Sequence, residues 1–277
     1  MRAQSIDSDL SRVRQILVFE RFLERAFRAL GHDAVLKGGV ALELRIQRSR
    51  TTRDVDLRAS GDPVWVLERL RDAAREDLGD WLSFEVAPDP THPEIDADGL
   101  IYGGRRYRAV ASMAGKPYGL PFGVDIAFAE PFHGTPDAIE GSELLGFVGI
   151  PRPRFRIYPI EAHLAEKLHA YTLPRRRPNS RVKDLPDLAL LATTRDIDAR
   201  ELREACFGVF DRRATHPLPP VLPPPPDQWV PVYERMAKID RLPWRTLAEV
   251  YGVAASFLNP VLRGSNGTWN PQELVWS

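Results

Sequence analysis

The chain has 277 residues, 43% hydrophobic and 27% charged, which is enough apolar material for a packed core and excludes wholesale disorder. Lys plus Arg and Asp plus Glu both total 38, so a formal net charge of zero excludes a histone-like polycation and leaves nucleic-acid contact to local patches. The single Cys206 excludes an internal disulfide and a cysteine-rich zinc site, and His32, His92, His133, His163, His169 and His216 show no paired-ligand spacing.

Residues 8–30 read as a helix. Ser8 or Asp9 can cap it, Leu10, Val13, Leu17, Phe22, Leu23, Phe27 and Leu30 recur along it, and Gly31 stops it. A short apolar strand, 34–37, precedes Gly38-Gly39 and a helix from Val40 to about Gln47. The next strand, 53–57, alternates Val55 and Leu57 against Asp54 and Asp56. An amphipathic helix over 63–78 carries Pro63 in its first turn, and strands follow at 81–86, 106–113 and 122–128. This order predicts an α/β (α+β) domain around a small mixed sheet. From Tyr158 onward the pattern is wholly helical, with helices over 159–173, 184–193, 198–212, 227–240 and 244–258. The proline-rich run 216–226 reads as an extended linker that spans on the order of 30 Å, and its PxxP spacing also admits a docking-motif reading. The expected division is a catalytic domain 1–157, a helical domain 158–215, the linker, and C-terminal helices 227–277, whose last residues carry no clear pattern. No run approaches the roughly 18 apolar residues of a membrane span. The first residues lack the apolar segment of a signal peptide, so the expected location is the cytoplasm, with no membrane partner.

The chemistry concentrates in Leu36-Lys-Gly-Gly-Val-Ala-Leu42 and Arg50-Thr-Thr-Arg-Asp-Val-Asp-Leu57. Two glycines between a strand and a helix let backbone amides approach an anion at the helix start. Asp54 and Asp56 stand two apart on a strand and so project from one face. Like charges that close are costly unless a cation sits beside them, and Mg2+ suits such oxygen donors while keeping positions open for phosphates. Singly, each motif has a plainer reading, a solvated strand edge and an ordinary turn; together and in this order they fit metal-assisted nucleotidyl transfer. Asp125 interrupts the apolar strand Phe122–Phe128 and faces away from Val124 and Ile126. It needs a cation, a metal or hydrogen-bond donors; a strand neighbouring Asp54 and Asp56 would make it a third metal ligand.

Leu36–Leu42, the Arg50-x-Thr52-x-Asp54-x-Asp56 pattern, Glu161-Ala-His-Leu-Ala-Glu-Lys-Leu-His-Ala-Tyr171 and Arg181-Val-Lys-Asp-Leu-Pro-Asp-Leu188 together resemble the AbiEii/AbiGii-type nucleotidyltransferase toxins, minimal nucleotidyltransferases of the polymerase β-like superfamily. The resemblance covers roughly residues 30–195. It implies a polymerase β-like fold, Mg2+ in two copies on Asp54, Asp56 and Asp125, and an NTP bound through Lys37, Gly38, Gly39, Val40, Thr52, Arg53 and Lys167. It further implies that Lys167 and Asp184 serve catalysis, Lys167 reaching the triphosphate. Taken alone, Lys167 reads as a surface lysine on one helix face with Tyr171. Val40 departs from the family, which places Ser or Thr after the glycines; a hydroxyl contact to phosphate is absent, and Thr51 or Thr52 can partly substitute.

Arg152, Arg154, Arg156, Lys167, Arg175, Arg176, Arg177, Arg181 and Lys183 face only Glu161 and Glu166 within one stretch. Tyr158 and Tyr171 lie in it as candidate base-stacking residues. The plainer reading is a solvated loop; beside a nucleotidyltransferase site, a nucleic-acid acceptor explains it better, with Arg175, Arg176, Arg177, Arg181 and Lys183 on the acceptor. The resemblance implies a toxin of a toxin–antitoxin system that transfers NMP to the 3′ end of tRNA, with a cognate antitoxin as a further partner. The alternatives are nucleotidylation of a protein or a small molecule such as an aminoglycoside, and a catalytically weak binding protein that keeps the fold.

Overall fold

The structure, a computed structural model, describes residues 2–46, 52–95, 103–128, 131–175 and 181–277, with side chains of the first helix described from Leu10 onward. The chain falls into two compact units that divide at Ile157 and Tyr158, with Arg45 and Pro131–Thr135 belonging to the second.

The first unit runs α1 (Arg2–Leu30), β1 (Val35–Lys37), α2 (Gly38–Arg45), β2 (Asp54–Ala59), α3 (Pro63–Ala74), β3 (Leu82–Pro88), β4 (Gly104–Met113), β5 (Lys116–Pro117), β6 (Phe122–Phe128), β7 (Asp137–Glu140) and β8 (Arg154–Ile157). Its strands form one mixed sheet in the order β3-β4-β6-β2-β1-β8-β7, with β5 paired to β4. The pairs β2–β6 and β1–β8 are parallel. This is the expected α/β plan. Along β2, Val55, Leu57 and Ala59 are buried, and the alternate residues Asp54, Asp56 and Arg58 point to the opposite face. On β6, Val124 and Ile126 repeat the pattern against Asp125. α1 and α3 cover the buried face with Phe19, Phe22, Leu23, Val66 and Leu70.

Buried polar groups fix α1 in place. Arg21 Nε meets Asp80 Oδ2 at 2.6 Å, and Arg25 donates to both Asp80 oxygens at 2.8 Å. Burial pushes the Asp80 carboxyl up, but the hydrogen bonds from Arg25 and Arg21 outweigh it and hold the group at about 2.

Several boundaries differ from the sequence expectation. α1 begins six residues earlier, at Arg2. α2 already includes both glycines, and its expected end at Gln47 lies outside the described residues. α3 starts where Pro63 and the Asp62 cap predict, Asp62 accepting from Val64 N at 2.8 Å, but it stops at Ala74. The chain then turns at Gly79, whose N–H donates to Asp77 Oδ1 at 2.8 Å, a local turn that competes with further helix. β7 and β8 were not anticipated, although the Arg-Phe-Arg-Ile alternation of β8 is a strand signal.

The second unit holds α4 (Ile160–Thr172), α5 (Asp184–Leu191), β9 (Ile197–Asp198), α6 (Ala199–Arg213), α7 (Val230–Asp240), α8 (Leu247–Leu262), β10 (Thr268–Asn270) and β11 (Val275–Trp276). The expectation that this part is wholly helical is corrected, since β9, β10 and β11 form a second small sheet. Strands of two or three residues are too short to show a period. What anchors them is aromatic: Trp269 is fully buried, its indole N–H donates to Ala192 O at 2.7 Å, and Trp276 stacks on Phe257. The proline-rich run is packed rather than free. Tyr171 donates to Pro223 O at 2.8 Å, Tyr251 to Leu222 O at 3.0 Å, and Leu222 N to Asn259 Oδ1 at 2.8 Å. Among the described residues no helix is long and apolar enough to cross a membrane.

Candidate active site

Three glycines open space for the polar groups of the sheet face. Gly38 has φ +68°, and a Cβ there would run into the Asp56 carboxylate. A Cβ on Gly39 would stand 2.5 Å from the Thr52 hydroxyl oxygen, and one on Gly123 would stand 2.6 Å from Asp54 Oδ1. Any side chain at these positions displaces the group that faces it. Gly38, Gly39 and Val40 form the first turn of α2, where backbone N–H groups lack helical partners and suit an anion. The Val40 side chain is only 3% exposed and belongs to the hydrophobic core, so a nucleotide contact at this position falls to its backbone. Thr52 is nearly buried, Arg53 is exposed, and Thr51 lies outside the described residues.

Strand register aligns the charged groups across the sheet. Lys37 on β1 stands opposite Asp56 on β2, Asp56 opposite Asp125 on β6, and Asp125 opposite Arg106 on β4. Asp54 lies one pleat along, opposite Gly123. Arg106 donates Nε to Asp125 Oδ1 at 2.7 Å and Nη2 to Oδ2 at 2.6 Å, a two-pronged pair. These hydrogen bonds raise the Arg106 pKa above its ordinary value, with the negative charges of Asp125, Asp54 and Asp89 adding to them. The expected neighbouring of the two strands therefore holds. Among the described residues no three His, Cys, Asp or Glu side chains gather to hold a metal. Arg106 is the cation that meets Asp125 on the sheet. Asp54 and Asp56, two oxygen-donor groups on one strand face with glycine-cleared surroundings, do fit a hard divalent cation.

In the second unit, Lys167 on α4 is no surface lysine. Its Nζ lies 3.1 Å from Asp184 Oδ1 and 2.8 Å from Asp187 Oδ2, and both carboxylates are almost fully buried. Asp184 and Asp187 share a face of α5 at a spacing of three, which brings both to one cation. Asp187, Arg106 and Gly123 are the site residues that the sequence reading missed. Gly123 had a signal, an isolated glycine within a strand pattern. Arg106 had none, because its partner comes from another strand.

Most of the basic stretch is paired. Arg152 meets Glu143, Arg154 meets Glu140 at 2.9 Å, and Arg156 donates to Ala34 O at 3.3 Å. Arg181 Nε is 3.9 Å from Asp184 Oδ2. Arg175, Arg181 and Lys183 are exposed, whereas Arg176 and Arg177 lie outside the described residues. Tyr158 and Tyr171 are 0% and 4% exposed, so neither can stack on a base, which corrects that expectation.

Against known proteins, the family model described as nucleotidyl transferase AbiEii toxin, type IV toxin–antitoxin system, matches residues 21–252. No curated protein matches the sequence. Among solved structures, JHP933 of Helicobacter pylori is 19% identical with a TM-score of 0.54, over 90% of this chain and 93% of that one. The nucleotidyltransferase toxin MenT4 of Mycobacterium tuberculosis is 21% identical with a TM-score of 0.52, over 74% of this chain and 68% of that one. At such identities the structural likeness speaks for the fold, and the family match spans most of the chain. The chain belongs to the AbiEii family of nucleotidyltransferase toxins.

Proposed function

We propose that the chain transfers a nucleoside monophosphate from an NTP to an acceptor hydroxyl, with the 3′ end of tRNA as the acceptor. The observation that carries this reading is the Asp54/Asp56 pair on one strand face, beside glycines that no other residue can replace without displacing Asp54, Asp56 or Thr52. Asp54 and Asp56 would hold Mg2+. A bound divalent ion supplies charge stabilisation on the attacking and leaving oxygens. The first-turn N–H groups of Gly38, Gly39 and Val40 offer donors to phosphate; Lys37 precedes them in sequence, and the Thr52 hydroxyl, next to Arg53, faces Gly39. In the transfer, the acceptor hydroxyl loses its proton to solvent water, its oxygen bonds to the α-phosphorus, and pyrophosphate leaves with the broken P–O bond. Lys167 and Asp184 take the roles that family membership implies, Lys167 as the cation for the triphosphate, with Asp184 and Asp187 holding its ammonium group. Exposed Arg175, Arg181 and Lys183, with Arg176 and Arg177 between them in sequence, supply charge for an RNA backbone. Membership of a toxin–antitoxin family makes a cognate antitoxin a further partner.

The test is incubation with each labelled NTP, Mg2+ and total tRNA. Label should enter RNA with the parent and not with Asp54→Asn. Label in protein instead of RNA would replace the acceptor, and no label in any acceptor would favour the catalytically weak binding protein.

A further inference from the structure

Asp125 is already matched. Both of its oxygens are engaged by the Arg106 guanidinium, and its side chain is only 16% exposed. The cross-strand row runs Lys37, Asp56, Asp125, Arg106, so two adjacent carboxylates are flanked by a cation on either side. Adjacent like charges on a sheet repel, and the protein answers that repulsion with its own side chains at this end of the row. A divalent ion drawn onto Asp125 would have to sit against a guanidinium already at hydrogen-bond distance. Arg106 itself is 39% exposed, and Nη1 has no partner among the described residues, so its outer N–H groups remain available.

We propose that Arg106, held by Asp125, stands in place of a second divalent ion: the metal site is Asp54 and Asp56 alone, and Arg106 is an anchored cation that binds the NTP phosphates. This rests on the nucleotidyl-transfer reading of the site. A planar guanidinium fixed on one side by a carboxylate presents its remaining donors in a set direction, which suits a phosphate oxygen. Asp125 is then a positioning residue for Arg106 rather than a metal ligand.

The experiment titrates Mn2+ alone into the full chain and follows it by electron paramagnetic resonance, with circular dichroism checking that each variant is folded. The double variant Asp125→Asn/Arg106→Gln removes both charges together and keeps the local balance. It should bind Mn2+ within about twofold of the parent, whereas Asp54→Asn should bind at least about tenfold more weakly. Arg106→Gln alone frees the Asp125 carboxylate and should tighten Mn2+ while raising the KM for NTP by about tenfold. If the double variant loses Mn2+ as Asp54→Asn does, Asp125 is a ligand and the proposal is overturned. An unchanged KM in Arg106→Gln overturns the phosphate role. If Asp54→Asn binds Mn2+ like the parent, the metal-pair reading beneath it fails, a distinct result.

Discussion

The two groups of carboxylates and cations in this chain are built in opposite ways. On the sheet of the first unit, Asp54 is exposed, Asp56 is half-buried, and glycines clear the space around both. Between α4 and α5 of the second unit, Asp184 and Asp187 are sealed from solvent and share Lys167. Partly hydrated carboxylates can exchange their surroundings for a ligand at small cost. Buried ones cannot lose their cation without a large desolvation penalty. The same residue types thus give exchangeable carboxylates in one place and a lysine held in a fixed position by buried carboxylates in the other.

Substitutions should separate the two. Asp54→Asn or Asp56→Asn should lower kcat/KM by about a thousandfold or more, several kcal/mol of transition-state stabilisation. The melting temperature should hold or rise, since a repelling carboxylate is gone. Gly123→Ala pushes on the Asp54 carboxylate and should cost about a hundredfold in activity through misplacement, read by steady-state kinetics on a folded protein. Lys167→Ala should show the other signature. Leaving two buried carboxylates without their shared cation costs about 3 to 5 kcal/mol, and calorimetry should show a fall in Tm of about 6 to 20 °C. A Tm unchanged by Lys167→Ala, or a collapse caused by Asp54→Asn, would erase the contrast.

Acid should act on stability through the buried groups His169 and Asp80. Burial holds the His169 imidazole down to about 3, with the charges of Arg213, His216 and Arg175 adding to the effect. The unfolded chain takes up that proton near about 6.5, so the stabilisation is complete above that pH and is lost as the pH falls toward the folded value, by up to about 1.4 kcal/mol per unit. Asp80, held at about 2 in the fold, adds a loss between its ordinary 3.8 and that value. Urea denaturation at several pH values should show the slope, and His169→Gln should flatten it between about pH 6.5 and 4 while leaving the Asp80 part.

Legibility in the sequence followed the range of the interactions. β6 is legible to the residue because Phe-Gly-Val-Asp-Ile-Ala-Phe alternates, and Gly38-Gly39 mark the passage from β1 to α2, although the helix takes in both glycines rather than starting at Val40. Pairings between distant segments left none. Arg106 carries no sign that it meets Asp125 on the neighbouring strand, and the arginines near residue 154 read as a basic patch because their partners Glu140 and Glu143 lie N-terminal to it. Tyr158 and Tyr171 fail as stacking residues for the same reason: burial is set by what packs on them, Phe132 on Tyr158 and the proline-rich run on Tyr171. The helix–strand order was legible from period, and the tiny second sheet was not, because two-residue strands have no period.

The most direct measurement is anomalous diffraction from crystals of the full chain soaked in Mn2+. The peak should lie between the Asp54 and Asp56 carboxylates, with the Arg106 guanidinium still on Asp125. A peak ligated by Asp125 with Arg106 displaced, or no peak at Asp54 and Asp56 at a Mn2+ concentration that supports transfer, would contradict the account.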